Sequence, residues 1–371
     1  MAVINSTVAI TGMNAKPDNP GPGLAVARCL RESADFQGRI IGLGYDALDP
    51  GLYLDDYCDA SYLLPYPSAG NDALLGQLQL IQQREQIDIL LPCLDAELPG
   101  MVRLLPALNE MGFKTFLPTS EQLRLRNKDR LPELAKIAGI NCPQITPITQ
   151  AGFLYKCQDE GWSYPLVVKG LFYGAYVIHS ADEAADAFRK IAAEWGFPVL
   201  VQQMVKGEEY NLTAVGDGEG NLLGPVMMRK MAVTDKGKAW SGISIDDQTL
   251  LDASTALARA ICWRGPLEVE VIRDQQGHYQ LIEINPRFPA WIYLSVGVGR
   301  NLPLTLLQLA NGQMPAAFPA TKAGVLFIRY ALEKNVPIAE FESIVMQGRR
   351  HTFDHSSTQS EVSANEPGNE E

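Results

Sequence analysis

At 371 residues the chain is long enough for two or three hydrophobic cores, so it needs no disulfide or structural metal to make up for a small one. Its 46% hydrophobic and 20% charged residues are those of a packed globular protein, and a formal charge of −12 argues against a nucleic-acid reader, which needs a basic stripe to neutralise phosphates, while leaving room for local basic clusters. No apolar run approaches the roughly 18 residues of a membrane span, and MAVINSTVAITG lacks a basic stretch ahead of a long apolar one, so a cytoplasmic protein with neither membrane nor nucleic-acid partners is expected.

Residues 1–117 alternate short apolar runs with amphipathic stretches. Strands are predicted at Thr7–Gly12, Arg39–Gly44, Ile87–Pro92 and Lys114–Leu117, with helices at Leu24–Glu32 and Asp72–Arg84. Runs apolar on both faces and separated by helices imply a parallel sheet covered on two sides, a Rossmann-like α/β layer. Around Gly139–Pro143 the rhythm changes to strand Pro165–Lys169, a short loop, strand Ala175–Ile178, helix Ser180–Trp195 and strand Pro198–Gln202, a small α+β unit. From Glu209 strands dominate, at Tyr210–Val215, Leu222–Met228, Leu267–Ile272 and Tyr279–Ile284, the last two joined by a turn at Asp274–Gly277. A helix at Asp247–Cys262 interrupts them. Thr352–Glu371 carries five carboxylates, no Lys or Arg and almost no large apolar side chain, and reads as a disordered acidic tail.

No G-x-x-x-x-G-K-[ST] sequence is present, which removes a P-loop from consideration. Gly21-Pro-Gly23 after the first strand, with Asp46 after the second, is a poor dinucleotide fingerprint, because the turn from Gly12 is long and Pro22 lacks an N–H. Six cysteines without a C-x-x-C pair and four dispersed histidines point to reduced core thiols and away from a zinc site. The stronger constellation is EVIRDQQGHYQLIEIN, in which Glu270 and Glu283 fall on two strands joined by a turn. In such a hairpin both carboxylates and the Asn285 amide oxygen can converge, the hard-oxygen set magnesium prefers, although solvated hairpin acids would show the same spacing. Arg287 follows, a fixed cation suited to an anionic phosphorylated intermediate.

These residues belong to a longer pattern. Pro92-Cys-Leu-Asp95-Ala-Glu97, Asn127-Lys128-Asp129 ahead of a helix ending Ala138-Gly-Ile140, Tyr164-Pro-Leu-Val-Val-Lys169, Val201-Gln-Gln-Met-Val-Lys-Gly207-Glu-Glu209-Tyr and Glu283-Ile-Asn285-Pro-Arg287 occur in that order. Over about residues 5 to 330 the chain resembles the ATP-grasp carboxylate–amine ligases, in particular their carbamoyl-phosphate-synthetase-like branch. The resemblance implies a mixed α/β and α+β fold: a Rossmann-like pre-ATP-grasp domain at 1–117, then a two-lobed ATP-grasp fold. Its first lobe with a small lid is expected at 118–205 and its second lobe with the metal site at 206–350, ahead of the tail at 351–371.

It further implies that Lys128 and Lys169 hold the α- and β-phosphates of ATP, that Gln202, Gln203 and Val205 form the hinge that reads adenine, and that Glu209 accepts the ribose hydroxyls. Glu270, Glu283 and Asn285 would ligate Mg²⁺, or Mn²⁺ in its place, and Arg287 would steady an acyl phosphate. The activity implied is ATP-dependent joining of a small-molecule carboxylate to an amine through an acyl phosphate, releasing ADP and phosphate, with a homodimer compatible. Lys230 and Lys238 are further candidates, since a basic run in an acidic chain is either a solvated face or a contact for the γ-phosphate or a substrate carboxylate. The substrate pocket would lie between the first domain and Arg287–Trp291, where Phe288 and Trp291 either line it or pack in the core.

One departure stands out. The loop after Lys169, Gly170-Leu-Phe-Tyr-Gly174-Ala, is short and aromatic where the family has a glycine-rich flap, and Phe172 and Tyr173 either wall off a substrate or pack as a lid. That motivates an alternative, a nucleotide-binding module of the same fold without ligase turnover. A nicotinamide dehydrogenase built on the amino-terminal sheet is a third reading and rests on fold analogy.

Overall fold

The computed structural model describes residues 3–171 and 174–351. Four buried runs form parallel strands β1 (Val8–Thr11), β2 (Ile40–Gly44), β3 (Ala60–Leu63) and β4 (Ile89–Leu91), in the order β3-β2-β1-β4. Alternate residues serve opposite faces. Val8 and Ile10 pack with Val26 and Leu30 of the helix Gly23–Arg31, while Ala9 and Ile41 pack with Leu74 and Leu78 of Asn71–Glu85 and Met101 of Leu98–Glu110. Gly23 is dictated by this packing, since a Cβ there would lie 1.9 Å from the Thr11 carbonyl oxygen. Gly21 donates its N–H to Asn14 Oδ1 at 2.7 Å. The glycines of this turn thus serve helix–strand packing, and the dinucleotide reading loses the amide it depended on.

A second, antiparallel sheet is built from β5 (Ile145–Ile148), β6 (Leu166–Lys169), β7 (Ala175–Ile178) and β8 (Val199–Gln203), ordered β5-β8-β6-β7. The helix Ala181–Trp195 covers it, burying Ala184, Phe188 and Ile191, and starts where the Ser180 hydroxyl accepts from the Glu183 N–H at 3.3 Å. Phe172 and Tyr173, proposed as a wall or lid, lie outside the described residues.

The third sheet has six antiparallel strands: β9 (Gly207–Asp217), β10 (Leu222–Val233), β11 (Ala239–Ile245), β12 (Arg264–Asp274), β13 (Tyr279–Asn285) and β14 (Leu326–Ile328), ordered β13-β12-β9-β10-β11-β14. Helix Gln248–Ala260, capped by Asp247, packs over it together with Leu131–Ala138. Residues 229–238, read as a basic strand and loop, are the β10–β11 hairpin. Among the described residues no helix is long and apolar enough to cross a membrane.

Two sequence expectations are corrected here. Lys114–Leu117 makes a single bridge, Lys114 to Ile89, and no strand. The second concerns the boundary at 350/351: β15 (Arg349–His351) pairs antiparallel with β3, so the first sheet reads β15-β3-β2-β1-β4 and the boundary falls inside one of its strands. Arg350 anchors this return. It is 4% exposed, reaches Asp55 at 2.6 Å and the Leu52 carbonyl at 3.3 Å, and donates to Glu340. A local reading of Gly-Arg-Arg-His cannot disclose partners nearly 300 positions away. Residues 352–371, read as a tail, lie outside the described residues. Arg350→Ala should therefore cost about 3 kcal/mol, because it strands two carboxylates, and lower the urea midpoint with an unchanged slope. An unshifted midpoint would make the strand dispensable.

Candidate active site

Strand β6 delivers Lys169 to the junction of the second and third sheets. The side chain is 5% exposed and Nζ donates to Gln202 Oε1. Burial and the neighbouring Lys128 push its pKa down to about 8, against the pull of Glu283. Lys128, on the segment between Ser120–Leu125 and Leu131–Ala138, places Nζ 3.2 Å from Glu283 Oε1. Two lysines and a carboxylate from three separate segments thus converge. The hinge residues divide. Because successive strand side chains face opposite ways, Gln202 joins the lysines and Gln203 turns away. Gln203 Oε1 accepts from the Ser163 N–H at 3.2 Å and its Nε2 donates to the Ser163 carbonyl at 2.9 Å. With Val205 it lines a separate cavity of about 400 Å³ beside the Asp274–Gln276 turn, so the side chains of Gln203 and Val205 are not brought to the lysines.

On the third sheet, Glu270 is directly opposite Glu283 and Glu268 opposite Asn285. Lys230, with only 6% of its side chain exposed, spans from Glu209 at 2.8 Å to Glu270 at 3.0 Å. Burial works to raise the Glu270 pKa, but Lys230 and Lys238 outweigh it and hold the carboxyl at about 2. The Asn285 amide nitrogen donates to Glu270 at 2.8 Å and Glu268 at 3.0 Å, which leaves its Oδ1 as the atom available to a cation. Glu268 escaped the sequence reading, although its period-two spacing from Glu270 was the signal. It is buried, accepts from Asn211 Nδ2 and Trp291 Nε1 at 2.7 Å each, and its pKa is raised by burial and by Glu270.

Arg287 is held from the amino-terminal sheet. Its Nε donates to Asp95 Oδ2 at 2.7 Å, 192 residues away in sequence, and Nη1 lies 3.6 Å from Glu268. Burial opposes the guanidinium's charge, yet Asp95 and Glu268 reverse the balance and raise its pKa. Asp95 sits in a loop organised by the buried Glu97, which accepts from the Cys93 and Leu94 N–H groups at 2.7 and 2.9 Å and from the Thr11 and Tyr45 hydroxyls. Asp95 carries no role in the sequence reading because nothing local connects it to Arg287.

A cavity of about 250 Å³ opens beside these groups, bounded by Pro20–Pro22, Asp95, Lys238, Arg287, Trp291 and Arg329. Trp291 walls it, whereas Phe288 packs in the core. Among the described residues no three His, Cys, Asp or Glu side chains form a ready metal cage. Two carboxylates and an amide oxygen instead suit a hard cation that completes its shell with phosphate oxygens and water, and this donor set fits magnesium or manganese.

Residues 197–331 match the family model described as "ATP-grasp in the biosynthetic pathway with Ter operon". A D-alanine–D-alanine ligase of Halorhodospira halophila is 30% identical over 143 residues, 34% of this chain and 46% of that protein. The chain spans about half the length of the curated relatives it matches. Among solved structures, the biotin carboxylase domain of a Hydrogenobacter thermophilus 2-oxoglutarate carboxylase, complexed with MgADP, ADP and bicarbonate, superposes with a TM-score of 0.67 at 14% identity, covering 86% of this chain and 73% of that one. An L-amino acid ligase from Bacillus licheniformis gives 0.61 at 19% identity, over 82% and 74%. The fold is that of these proteins.

Proposed function

We propose, from the premise that this chain is an ATP-grasp protein, that it joins a carboxylate to an amine at the expense of ATP. One observation carries the reading: Lys128 and Lys169 converge on Glu283, so cations able to hold phosphates share a locus with a hard-oxygen ligand for the accompanying metal. ATP brings about four negative charges, and catalysis of phosphoryl transfer is chiefly positioning and charge neutralisation. Lys128 and Lys169 bind the phosphates beside the Gln202 side chain, the hinge backbone from Gln203 to Val205 reads the base, and Glu209 takes the ribose hydroxyls. Glu270, Glu283 and Asn285 would hold Mg²⁺ or Mn²⁺, which supplies neutralising charge at the phosphates when bound.

A substrate carboxylate oxygen attacks the γ-phosphorus and ADP leaves. Arg287, oriented by Asp95 and Glu268, steadies the resulting acyl phosphate, with Lys230 and Lys238 balancing charge around it. An amine then forms the C–N bond and phosphate departs. The names of the relatives, D-alanine–D-alanine ligase and L-amino acid ligase, support amino acids as the substrate class.

A screen of amino acids and small carboxylates, singly and in pairs, with ATP and Mg²⁺ tests the reading. Phosphate release that requires both an acid and an amine is expected. Mg·ATP binding with no release from any pair would favour a nucleotide-binding module. Once a pair is known, Glu209→Ala should raise KM for ATP about tenfold and change kcat far less, because the ribose is held alike in ground and transition states.

A further inference from the structure

Glu97 is a buried carboxylate with no part in the proposed chemistry. It is 1% exposed, and Leu94, Asp95 and Ala96 of the same loop face the cavity while its own side chain turns toward the amino-terminal sheet. Its four donors come from three strand ends. The Thr11 hydroxyl stands at the end of β1, the Tyr45 hydroxyl just beyond β2, and the Cys93 and Leu94 N–H groups beyond β4. The Cys93 N–H also reaches Thr11 Oγ1 at 2.8 Å. One carboxylate thus ties together the carboxyl ends of three neighbouring parallel strands, where open α/β sheets present their ligand-facing loops. Among the described residues no Lys, Arg or His pairs with it, and burial raises its pKa against those donors. A buried carboxylate without a counter-ion is costly, so filling space does not account for it.

What the four bonds fix is the stretch that leaves β4. Asp95 lies in it, with Oδ2 accepting from Arg287 Nε at 2.7 Å and Oδ1 standing 3.6 Å from Arg126 Nη1. This loop is where the amino-terminal sheet grips two arginines of later segments. We infer that Glu97 is a positioning residue: by holding the loop after β4 to the ends of β1 and β2, it sets Asp95 and, through Asp95, the guanidinium of Arg287. The inference rests on the ligase reading for what Arg287 acts on, and adds to it a residue that works without reaching substrate. An arginine that steadies an acyl phosphate must be held within about half an ångström of its productive place. Its contact with Glu268 is long, at 3.6 Å, so Asp95 supplies the short bond to a carboxylate. Without Glu97 the Cys93 and Leu94 amides come free together, and Asp95 shifts with them.

The test sets Glu97→Ala beside Glu97→Gln, Asp95→Ala and the double variant Glu97→Ala/Asp95→Ala in the full chain. Glutamine keeps an oxygen for the two amides, and the Tyr45 hydroxyl can turn to accept from its Nε2. With a working substrate pair, ATP and Mg²⁺, Glu97→Ala should lower kcat about 30-fold and leave KM and calorimetric affinity for Mg·ATP within about twofold. Glu97→Gln should recover about a third of the wild-type kcat or more, and the double variant should be no slower than Asp95→Ala alone. Losses that multiply in the double variant, or a fall in ATP affinity that matches the fall in kcat, would make Glu97 merely structural and overturn the inference.

A second measurement needs no turnover: solvent exchange of the Arg287 Nε–H, followed by NMR and assigned by its disappearance in Arg287→Lys. Exchange should be about tenfold faster in Glu97→Ala than in the wild type and near the wild-type rate in Glu97→Gln. Unchanged exchange in Glu97→Ala also overturns the inference. If Glu97→Ala does not fold, Thr11→Val takes its place by removing one of the four donors; kcat should fall about threefold, and not at all in the Asp95→Ala background. An equal fall in both backgrounds counts against the inference. If no acid and amine pair releases phosphate from the wild type while Arg287 exchange follows Glu97 as expected, the ligase reading falls and the positioning role stands.

Discussion

Lys169→Met should yield a protein that is more stable and binds ATP far more weakly. The folded-state pKa of about 8 lies below the ordinary lysine value of 10.5. Between those two pH values the unfolded chain holds a proton that the folded chain has released, so stability rises with pH across the window. Below it the buried ammonium costs about 3 kcal/mol. Methionine removes that cost and fills similar space, but it leaves Gln202 Oε1 without its donor, a loss of about 1 kcal/mol. The net gain of about 1–2 kcal/mol should raise the melting temperature by a few degrees at pH 7. ATP affinity should fall by about 2–4 kcal/mol, since one of few cations facing a tetra-anion is gone. In the wild type, binding near pH 9 should take up a proton, because a phosphate beside Lys169 raises its pKa again; calorimetry in buffers of different ionisation enthalpy reads that directly. Unchanged ATP affinity in the variant would remove Lys169 from the phosphate site.

Glu283→Gln should reduce kcat at least 100-fold and weaken ATP binding much less. Its side chain is 28% exposed, so the isosteric amide should be accommodated without unfolding. What is lost is a hard anionic oxygen and the charge that faces Lys128, an effect felt most where negative charge is redistributed in the transition state. Asn285→Ala is the harsher probe. Its amide nitrogen serves both Glu268 and Glu270, so removal leaves one buried and one partly buried carboxylate short of a donor and should also lower the melting temperature. Near-normal phosphate release from Glu283→Gln would mean that the hairpin carboxylates are structural and the metal lies elsewhere.

Part of this site is legible in the sequence because its acids lie on two strands joined by one short turn. Glu270 and Glu283 flank the turn at Asp274–Gly277, where Gly277 takes φ of 85° and its N–H returns to the Asp274 carbonyl at 2.9 Å; that turn alone would set Glu270 against Ile282, and a break in register between Val271 and Glu270 brings Glu283 opposite instead. The alternation of buried runs with helices likewise determined the parallel amino-terminal sheet, and the period of apolar residues set its two covered faces. The tertiary structure alone decided which residues meet from distant segments. Asp95 reaches Arg287 across 192 residues, Arg350 carries the chain back to β3, and Arg329 arrives at the cavity from an edge strand too short to read. Gln202 and Gln203, identical in type and adjacent, were separated only when β8 took its place beside β6 and turned one toward Lys169 and the other toward Ser163. The pairing of two hairpin strands follows from the chemistry of neighbours in sequence, whereas contacts between domains depend on how preformed layers pack, and no local period encodes that.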